Sequence, residues 1–404
     1  MLKAKNRYLT LLASAGCLSV SGSIYIWSIF NLPLIEAHGW SAASVSFTYS
    51  LFLVVSSVSF FAAGVLQRRI PTAPLMLAAG VMFAAGWFIA GSAQSVAMLY
   101  FGFGVVAGIA DGFVYNTALN TAQAWFPDRR GFASGVCVGA IGAIPIVFAP
   151  LGNILIEHFD VGTAFHVCAL LFLAIFVVCG PWLRLPEEGW KPQGWDMPEG
   201  VEAQGATDVP LRDAVRSPLL WLMWALMFPA TMAGLTLSAH TSNIGQHIVG
   251  MTASQGALQV AVLAVASFVG RLGFGTLSDR VGRCPTFAIM LVLTAIDLVL
   301  FRYVDSFATF SAALCVSGAC FGGVMAVMPA LCADVFGTTY FSQNYAVVYS
   351  GYTFASLVGP NVAVALHGHT GSYDMAFLML AVVALYGLVL TLIVQRKVRR
   401  ASAG

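Results

Sequence analysis

Charged side chains are scarce in this sequence. Asp, Glu, Lys and Arg make up only 9% of its 404 residues, whereas hydrophobic residues make up 59%. A soluble globular protein carries about 25% charged residues, so the composition excludes an ordinary soluble domain and indicates a protein that lies in lipid. The formal net charge is only +2, and the sequence therefore lacks the basic surface that nucleic-acid binding requires.

Motifs of enzymes and metal sites are also lacking. The sequence has no P-loop, no GxSxG motif and no CxxC or Cys/His spacing of a zinc site. Seven of its eight cysteines lie in or at the ends of apolar segments, and Cys284 lies at a charged turn. We therefore predict reduced cysteines, no catalytic activity, no ATP-driven transport, no cofactor and no metal site.

Long apolar runs dominate instead, and they predict an all-α membrane protein with twelve spans. A spanning helix needs about 20 mostly apolar residues, and 40 glycines suit close helix packing in a bilayer. The basic N-terminus resembles a signal peptide, but its apolar run is too long and no clean cleavage site follows. The predicted spans are residues 8–35, 43–67, 73–92, 96–122, 131–157, 162–185, 217–247, 254–279, 284–303, 307–333, 343–367 and 374–395.

A polar stretch divides the chain into two halves. Residues 1–185 form the first six-helix half, 186–216 a cytoplasmic linker rich in Pro, Gly and Glu, and 217–396 the second half, followed by a basic tail at 397–404. With the N-terminus inside, 17 of the 19 Lys and Arg residues fall in cytoplasmic segments. This asymmetry predicts a multi-pass protein of the cell inner membrane with both termini in the cytoplasm.

The two halves repeat each other. GTLSDRVGR at 275–283 corresponds to GVLQRR at 64–69 with an offset of 211, and DVF at 334–336 corresponds to AWF at 124–126 with an offset of 210. Two landmarks at nearly one spacing indicate a duplicated six-helix unit. Parallel repeats of this kind place a substrate site near the midplane, between the halves.

The loop GTLSDRVGR resembles the G-x-L-x-D-R-x-G-R motif of the major facilitator superfamily. The matching residues are Gly275, Leu277, Asp279, Arg280, Gly282 and Arg283. The copy in the first half is degraded, since Arg68 replaces the Asp and Pro71 the Gly. The resemblance implies a monomer of two pseudo-symmetric halves, in which Gly275, Asp279, Arg280 and Arg283 act in conformational change.

A narrower resemblance covers nearly the whole chain. It is carried by YIWSIF, GIADGFVYNTALNTAQAWFPDRRGFASG, LPEEGWKPQGW, GRLGFGTLSDRVGR and NYAVVYSGY. These stretches are similar to the oxalate/formate antiporter family of bacterial carboxylate carriers, and WFPDRRGFASGVCVGAIG is also similar to the monocarboxylate transporters.

Three positions carry what this resemblance implies for the substrate. Arg271 matches a span-eight arginine that binds a substrate carboxylate in the family. Tyr352 stands where the oxalate carrier has a lysine for the second carboxylate, and Ser267 stands where the monocarboxylate transporters have a proton-coupling Asp. The resemblance therefore implies a monocarboxylate rather than a dicarboxylate, and it leaves the coupling ion open.

Arg271 is the only cation inside a predicted span. It lies eight residues before Asp279, about 12 Å along the helix, and a cation at that depth usually faces a cavity or a partner. A guanidinium matches a carboxylate with two parallel hydrogen bonds. We predict that Arg271 binds substrate; the alternative is an internal ion pair with Asp111 or Asp297.

Asp111 is an acid inside span four. It lies 14 residues before Trp125, about 21 Å along the helix. Burial could raise its proton affinity and make it a proton-coupling residue; the alternative is a packing acid that bonds neighbouring hydroxyls. Phe321 occupies the equivalent position in the second half.

Polar and aromatic residues are predicted to line the substrate pocket around Arg271. Aromatic rings with a polar group suit a small organic anion, and Tyr345, Tyr349 and Tyr352 recur on one helical face. For Tyr345 and Trp27 we favour a packing role. The remaining predicted pocket residues are Tyr25, Tyr115, Asn116, Phe321, Tyr349, Tyr352 and His240.

Histidines offer a second route for a proton. His240 in span seven is a coupling candidate because imidazole titrates near neutral pH, and a core histidine bonded to a carbonyl is an equal alternative. His247, His367 and His369 lie near the outer ends of spans and are predicted to be solvated. Asp297 in span nine is predicted to be a packing or interfacial acid.

The sequence thus predicts a secondary carrier for small monocarboxylates of the pyruvate, lactate or formate type. Its partners are a small organic anion, the lipid bilayer and, for symport, a proton. Alternating access would couple to protons or to anion exchange. The alternatives are an oxalate/formate-type dicarboxylate antiporter, a carrier of drugs or sugars, and, from another class, a carboxylate sensor on a carrier scaffold.

Overall fold

Helices are the regular elements of this protein. A computed structural model describes residues 7–67, 69–187, 190–192 and 208–403, and within these ranges no strand occurs. The predicted all-α fold is confirmed. The chain divides into two compact units: unit 1 comprises Met1–Pro127 and Val136–Gln193, and unit 2 comprises Asp128–Gly135 and Gly194–Gly404.

Unit 1 is organised around two helix pairs, α3 with α6 and α4 with α9. Two 3-10 segments, Val20–Ile26 and Gly180–Trp182, and a π-helical segment, Tyr100–Ala107, adjoin its helices. The helices are α1 (Arg7–Ser19), α2 (Trp27–His38), α3 (Ala42–Leu66), α4 (Thr72–Gly91), α5 (Val96–Leu99), α6 (Gly108–Trp125), α7 (Arg130–Ala140, which begins in unit 2), α8 (Ala143–His158) and α9 (Val161–Cys179).

Polar caps begin these apolar helices. Asp160 precedes α9, and its carboxylate accepts the backbone N–H of Thr163 at 2.8 Å and the Thr163 hydroxyl at 2.6 Å. The same hydroxyl and N–H hold the pKa of Asp160 below its usual range. The cap satisfies N–H groups that the first helical turn leaves unpaired.

Aromatic rings form the core of unit 1. Trp87 is fully buried at the centre of a ring cluster from α2, α4, α9 and the π-helical segment. Its centroid lies 5.0 Å from Phe172, 5.2 Å from Phe165, 5.3 Å from Phe103 and 5.8 Å from Phe30. Each such pair contributes about 0.5–1.5 kcal/mol beyond its buried area, so this cluster holds the four elements together.

Unit 2 is organised around three helix pairs, α12 with α14, α11 with α15, and α13 with α16. Thr252 and Ser306 form capping boxes at the starts of α12 and α14. Gly250 and Gly371 end α11 and α15 in the left-handed conformation. The helices are α10 (Leu211–Ala214), α11 (Pro218–Val249), α12 (Ala253–Val281), α13 (Arg283–Leu300), α14 (Phe307–Phe336), α15 (Phe341–Thr370) and α16 (Asp374–Ala403), with a 3-10 turn at Phe301–Tyr303.

The predicted spans correspond to the helices with two differences. Among the described residues, ten segments are long and apolar enough to cross a membrane. The predicted span 131–157 is broken by a turn at residues 141–142, which separates α7 from the shorter apolar helix α8, Ala143–His158. The predicted span 343–367 lies within α15, which has 30 residues but is not among these ten segments.

The predicted linker is anchored at both of its described ends. Trp190 packs edge-on against Trp125 at 4.7 Å in unit 1. In unit 2, Asp208 accepts the backbone N–H of Thr339 at 3.0 Å, and the Val209 carbonyl accepts the side-chain amide of Asn344 at 2.9 Å. Residues 188–189 and 193–207, the degraded motif residue Arg68, and tail residue 404 lie outside the described residues.

Helices α12 and α14 approach each other at backbone distance. A Cβ atom added at Gly270 would overlap the carbonyl of Ala319, and one added at Gly322 would overlap the carbonyl of Ser267. Small residues permit this approach in membrane proteins, where packing rather than water exclusion holds helices together. Because Gly270 directly precedes Arg271, the contact fixes the rotation of α12 at that arginine.

We predict that Gly270→Ala or Gly322→Ala destabilises the protein, because each added methyl group displaces a backbone from its neighbour. Overpacking of this kind costs about 1–3 kcal/mol. The matched control is Gly273→Ala in the same helix, since a Cβ there meets no described heavy atom within 4 Å. Thermal unfolding in detergent should show a lower Tm for the first two variants only; three equal Tm values would disprove the contact.

Candidate functional site

The predicted site residues divide between the two units. Unit 2 carries Arg271 on α12, His240 on α11, Phe321 on α14 and Tyr349 and Tyr352 on α15. Unit 1 carries Tyr25 in the 3-10 segment and Asp111, Tyr115 and Asn116 on α6.

Arg271 is buried inside a membrane-spanning helix. It is only 8% exposed, and α12 is one of the ten apolar helices. A Cβ at Gly135 would overlap the Arg271 carbonyl, so the backbone of this turn is packed on a second side as well. The guanidinium carries five N–H donors and a permanent charge. A charge at this depth needs an anionic or polar partner.

An aromatic ladder runs along α15. Ring centroids are 5.2 Å apart for Phe341 and Tyr345, 5.8 Å for Tyr345 and Tyr349, and 5.0 Å for Tyr349 and Tyr352. Tyr345 is fully buried, whereas Tyr349 and Tyr352 are partly exposed. The two outer tyrosines of the ladder are therefore more accessible than Tyr345, which packs in the core.

Phe321 and His240 complete the predicted set in unit 2. The ring of Phe321 lies on Gly234 of α11, where a Cβ would overlap it. Phe321 and Tyr352 both pack against the buried cluster that contains Met232, Leu235 and Phe377. The Nε2 atom of His240 is buried without a hydrogen-bond partner among the described residues.

Asp111 is the buried acid of unit 1. It is 6% exposed, and its Oδ2 accepts the hydroxyl of Ser56 on α3 at 2.6 Å. The Ser56 bond therefore joins α6 to α3.

The neighbours of Asp111 differ in accessibility. Asn116 has no exposed surface, and its side-chain amide donates to the Phe60 carbonyl at 2.8 Å. Tyr115 lies edge-on to the Phe60 ring at 5.6 Å. Tyr25 is 50% exposed. In this conformation Asn116 connects α6 to α3, and Tyr25 is the residue of this set with a free ring face.

The loop motif forms a charge network in unit 2. Asp279 accepts the backbone N–H groups of Gly131 at 2.9 Å and Phe132 at 2.8 Å, the first turn of α7. Arg283 donates to Asp279 and, at 2.8 Å, to Asp334. A carboxylate at a helix N-terminus is stabilised by its free N–H groups and its dipole.

The remaining motif residues have distinct positions. Gly275 packs backbone to backbone on Gly131, where a Cβ would lie 2.5 Å from the Gly131 carbonyl. Arg280 is exposed. The structure thus brings Asp279 and Arg283 together and leaves Arg280 at the surface.

Asp334 is a network residue that sequence reasoning missed. Arg130 donates to the second oxygen of Asp334 at 2.8 Å, so Asp334 bridges two arginines. The repeat landmarks AWF and DVF pointed at this region, because Asp334 belongs to DVF and Arg130 follows AWF by four residues. Spacing alone gave no sign that they pair.

We predict that Asp279→Asn destabilises the protein, because Asn cannot neutralise Arg283 and offers a single acceptor oxygen. Removing one partner from a buried ion pair costs about 3–5 kcal/mol, and the Asp279 and Arg283 side chains are only 8% and 13% exposed. Thermal unfolding of the purified protein measures the loss.

The control for this substitution is Asp213→Asn. The Asp213–Arg216 pair is 4.0 Å apart with both side chains more than half exposed, and such pairs contribute about 0–1 kcal/mol. Equal Tm changes for the two variants would show that the Asp279 network adds no more than a surface pair.

Comparison with known proteins agrees with this architecture. The profile of the Major Facilitator Superfamily matches residues 12–275 and 230–403. A crystal structure of a variant of the Escherichia coli fucose:proton symporter aligns with a TM-score of 0.73 at 12% identity, covering 96% of this chain and 99% of that one. This structural likeness shows the shared fold.

Sequence relatives include carboxylate carriers. The chain is 30% identical over 381 residues to an oxalate:formate antiporter of Oxalobacter formigenes, covering 93% of this chain and 88% of that protein. It is 24% identical over 400 residues to monocarboxylate transporter 12 of Rattus norvegicus, covering 90% of this chain and 81% of that protein. The predicted resemblance to both groups is confirmed, and the chain belongs to the Major Facilitator Superfamily of multi-pass membrane transporters.

Proposed function

We propose that this transporter carries small monocarboxylate anions of the pyruvate, lactate or formate type, and that Arg271 binds the carboxylate. The observation that carries the proposal is a permanently charged guanidinium, 8% exposed, in a membrane-spanning helix. The carboxylate-carrier relatives support the same substrate class. Transport by alternating access leaves the substrate chemically unchanged, so we assign no catalytic step.

The partly exposed tyrosines of α15 support a single carboxylate. Tyr352 stacks on Tyr349 with centroids 5.0 Å apart, and a phenol donates one hydrogen bond without a positive charge. One guanidinium neutralises one carboxylate, whereas a dianion would keep a second charge in a low-dielectric site.

A second candidate is exchange of oxalate for formate. It is favoured by the 30% identical antiporter, which covers 93% of this chain. The two candidates differ in the charge of the ligand bound beside Arg271. Thermal stability measured with a ligand panel of formate, lactate, pyruvate and oxalate separates them. Oxalate should stabilise the protein most if it is a dicarboxylate antiporter, and one of the three monocarboxylates should do so if it is a monocarboxylate carrier.

Asp111 is our first candidate for proton coupling, and His240 is the second. Asp111 is buried in α6 with one hydroxyl donor at 2.6 Å, so protonation would exchange an ionised for a neutral group without moving the backbone. A proton taken up there would compensate the charge of a monoanion.

We place the termini in the cytoplasm from the Lys and Arg asymmetry, and we propose that the protein works as a monomer.

We predict that Arg271→Lys and Arg271→Ala both weaken carboxylate binding by at least about tenfold, which is about 1.4 kcal/mol. Lys keeps the charge but loses the two parallel hydrogen bonds. Thermal-shift titration of purified protein over the panel measures this, since a ligand at a hundred times its Kd stabilises by about 2.7 kcal/mol.

The control is Arg302→Ala, whose side chain is 42% exposed and should bind the panel normally. Carboxylate shifts that persist in both Arg271 variants would disprove the site. A shift for wild-type protein with neutral sugars alone would disprove the substrate class.

We predict that Asp111→Asn abolishes uptake driven by a proton gradient but keeps counterflow within about threefold, because Asn preserves shape and cannot titrate. The matched control is Asp297→Asn: Asp297 is also 6% exposed and accepts a serine hydroxyl, from Ser317 at 2.5 Å. Proteoliposome assays compare the two. Unchanged proton-driven uptake in Asp111→Asn would contradict the assignment, and a wild-type protein that ignores the gradient would exclude symport.

A further inference from the structure

Two histidines meet at the C-terminal ends of α11 and α15. His247 is exposed and His367 is half-buried. Their Nε2 atoms lie 3.4 Å apart, and the Nε2 of His247 lies 3.1 Å from the Gly371 carbonyl oxygen. The sequence predicted separate solvated side chains here; the structure instead directs the two ring nitrogens at each other.

The spacing of these nitrogens matches a shared metal ion. Imidazole nitrogens bind Zn²⁺ at about 2.0–2.1 Å in tetrahedral geometry, which places two ligand nitrogens about 3.4 Å apart. Neutral imidazole suits Zn²⁺, Ni²⁺ and Cu²⁺. The Gly371 carbonyl lies close enough to contribute an oxygen, and water can take the remaining positions.

Neighbouring groups hold the two rings in place. Tyr373 is 7% exposed, stacks on His367 with centroids 4.2 Å apart and an interplanar angle of 26°, and lies edge-on to His247 at 5.8 Å. The two imidazole planes are nearly perpendicular, at 83°. Ligand rings that are oriented before binding lose little freedom when the ion arrives.

We propose that His247 and His367 form a two-histidine site for a divalent transition-metal ion of the Zn²⁺, Ni²⁺ or Cu²⁺ type. The ion clamps the end of α11 to the end of α15. This end of unit 2 is remote from the Asp279 network, because α12 starts four residues after α11 ends and Asp279 lies 26 residues, about 39 Å, further along α12.

The site is an exchangeable one. Among the described residues no group of three or more His, Cys, Asp or Glu side chains is placed to hold a metal, so the pair supplies two side-chain ligands rather than the four of a structural zinc site. With two side-chain ligands, we expect weaker binding than at a four-ligand structural site.

The test is metal binding by the full-length protein, purified in detergent with a tag that contains no histidine. Calorimetric titration with Zn²⁺ and Ni²⁺ should show one saturable site per chain. His247→Gln and His367→Gln should each weaken binding at least about tenfold. The control is His369→Gln, an exposed histidine two residues from His367, which should bind as wild type does.

A rescue variant separates metal ligation from a simple hydrogen bond between the rings. The double substitution His247→Cys with His367→Cys should restore Zn²⁺ binding, because thiolates are also zinc ligands. Wild-type protein that binds Zn²⁺ no more tightly than the double Gln variant would overturn the proposal, as would loss of binding in His369→Gln. No transport substrate is needed, so failure of this proposal is distinguishable from failure of the proposed function.

Discussion

A permanent positive charge inside an apolar helix is the constraint on which the rest of unit 2 depends. Arg271 cannot lose its charge, so the helix that carries it must hold one rotation and one depth. Backbone contacts fix the rotation, since Gly270 and Gly322 leave no room for α12 to turn against α14. The Asp279 network fixes the depth eight residues further along.

Much of the fold could be predicted from the long segments that contain few or no charged residues. In lipid, a backbone must satisfy its own hydrogen bonds, so each charge-poor run becomes a helix. The break between α7 and α8 could not be predicted with the same rule, because Gly139 and Gly142 in an apolar run are equally compatible with close packing of an unbroken helix. The π-helical segment at Tyr100–Ala107 likewise has no signal in composition.

The candidate site could be predicted one residue at a time but not as contacts. Arg271 and Asp279 were identifiable because charge is rare in such a chain and because a motif surrounds Asp279. Contacts between residues distant in sequence were not identifiable, since Arg130 and Asp334 are separated by 204 residues, and His247 and His367 by 120. Asn116 was predicted to line the pocket because its side chain is polar. In the structure its side-chain amide instead donates to the Phe60 carbonyl.

Helix α15 has a consequence for how the protein is made. Ser, Asn, Tyr and His side chains recur along its 30 residues, and polar groups in hydrocarbon need hydrogen-bond partners. It packs along α11, which is synthesised more than 90 residues earlier. With α11 already in the bilayer, α15 meets such a partner as it enters, since the indole N–H of Trp224 on α11 donates to the hydroxyl of Ser350 on α15 at 2.9 Å. Damage to the α11 surface is therefore expected to impair the insertion of α15 during biogenesis.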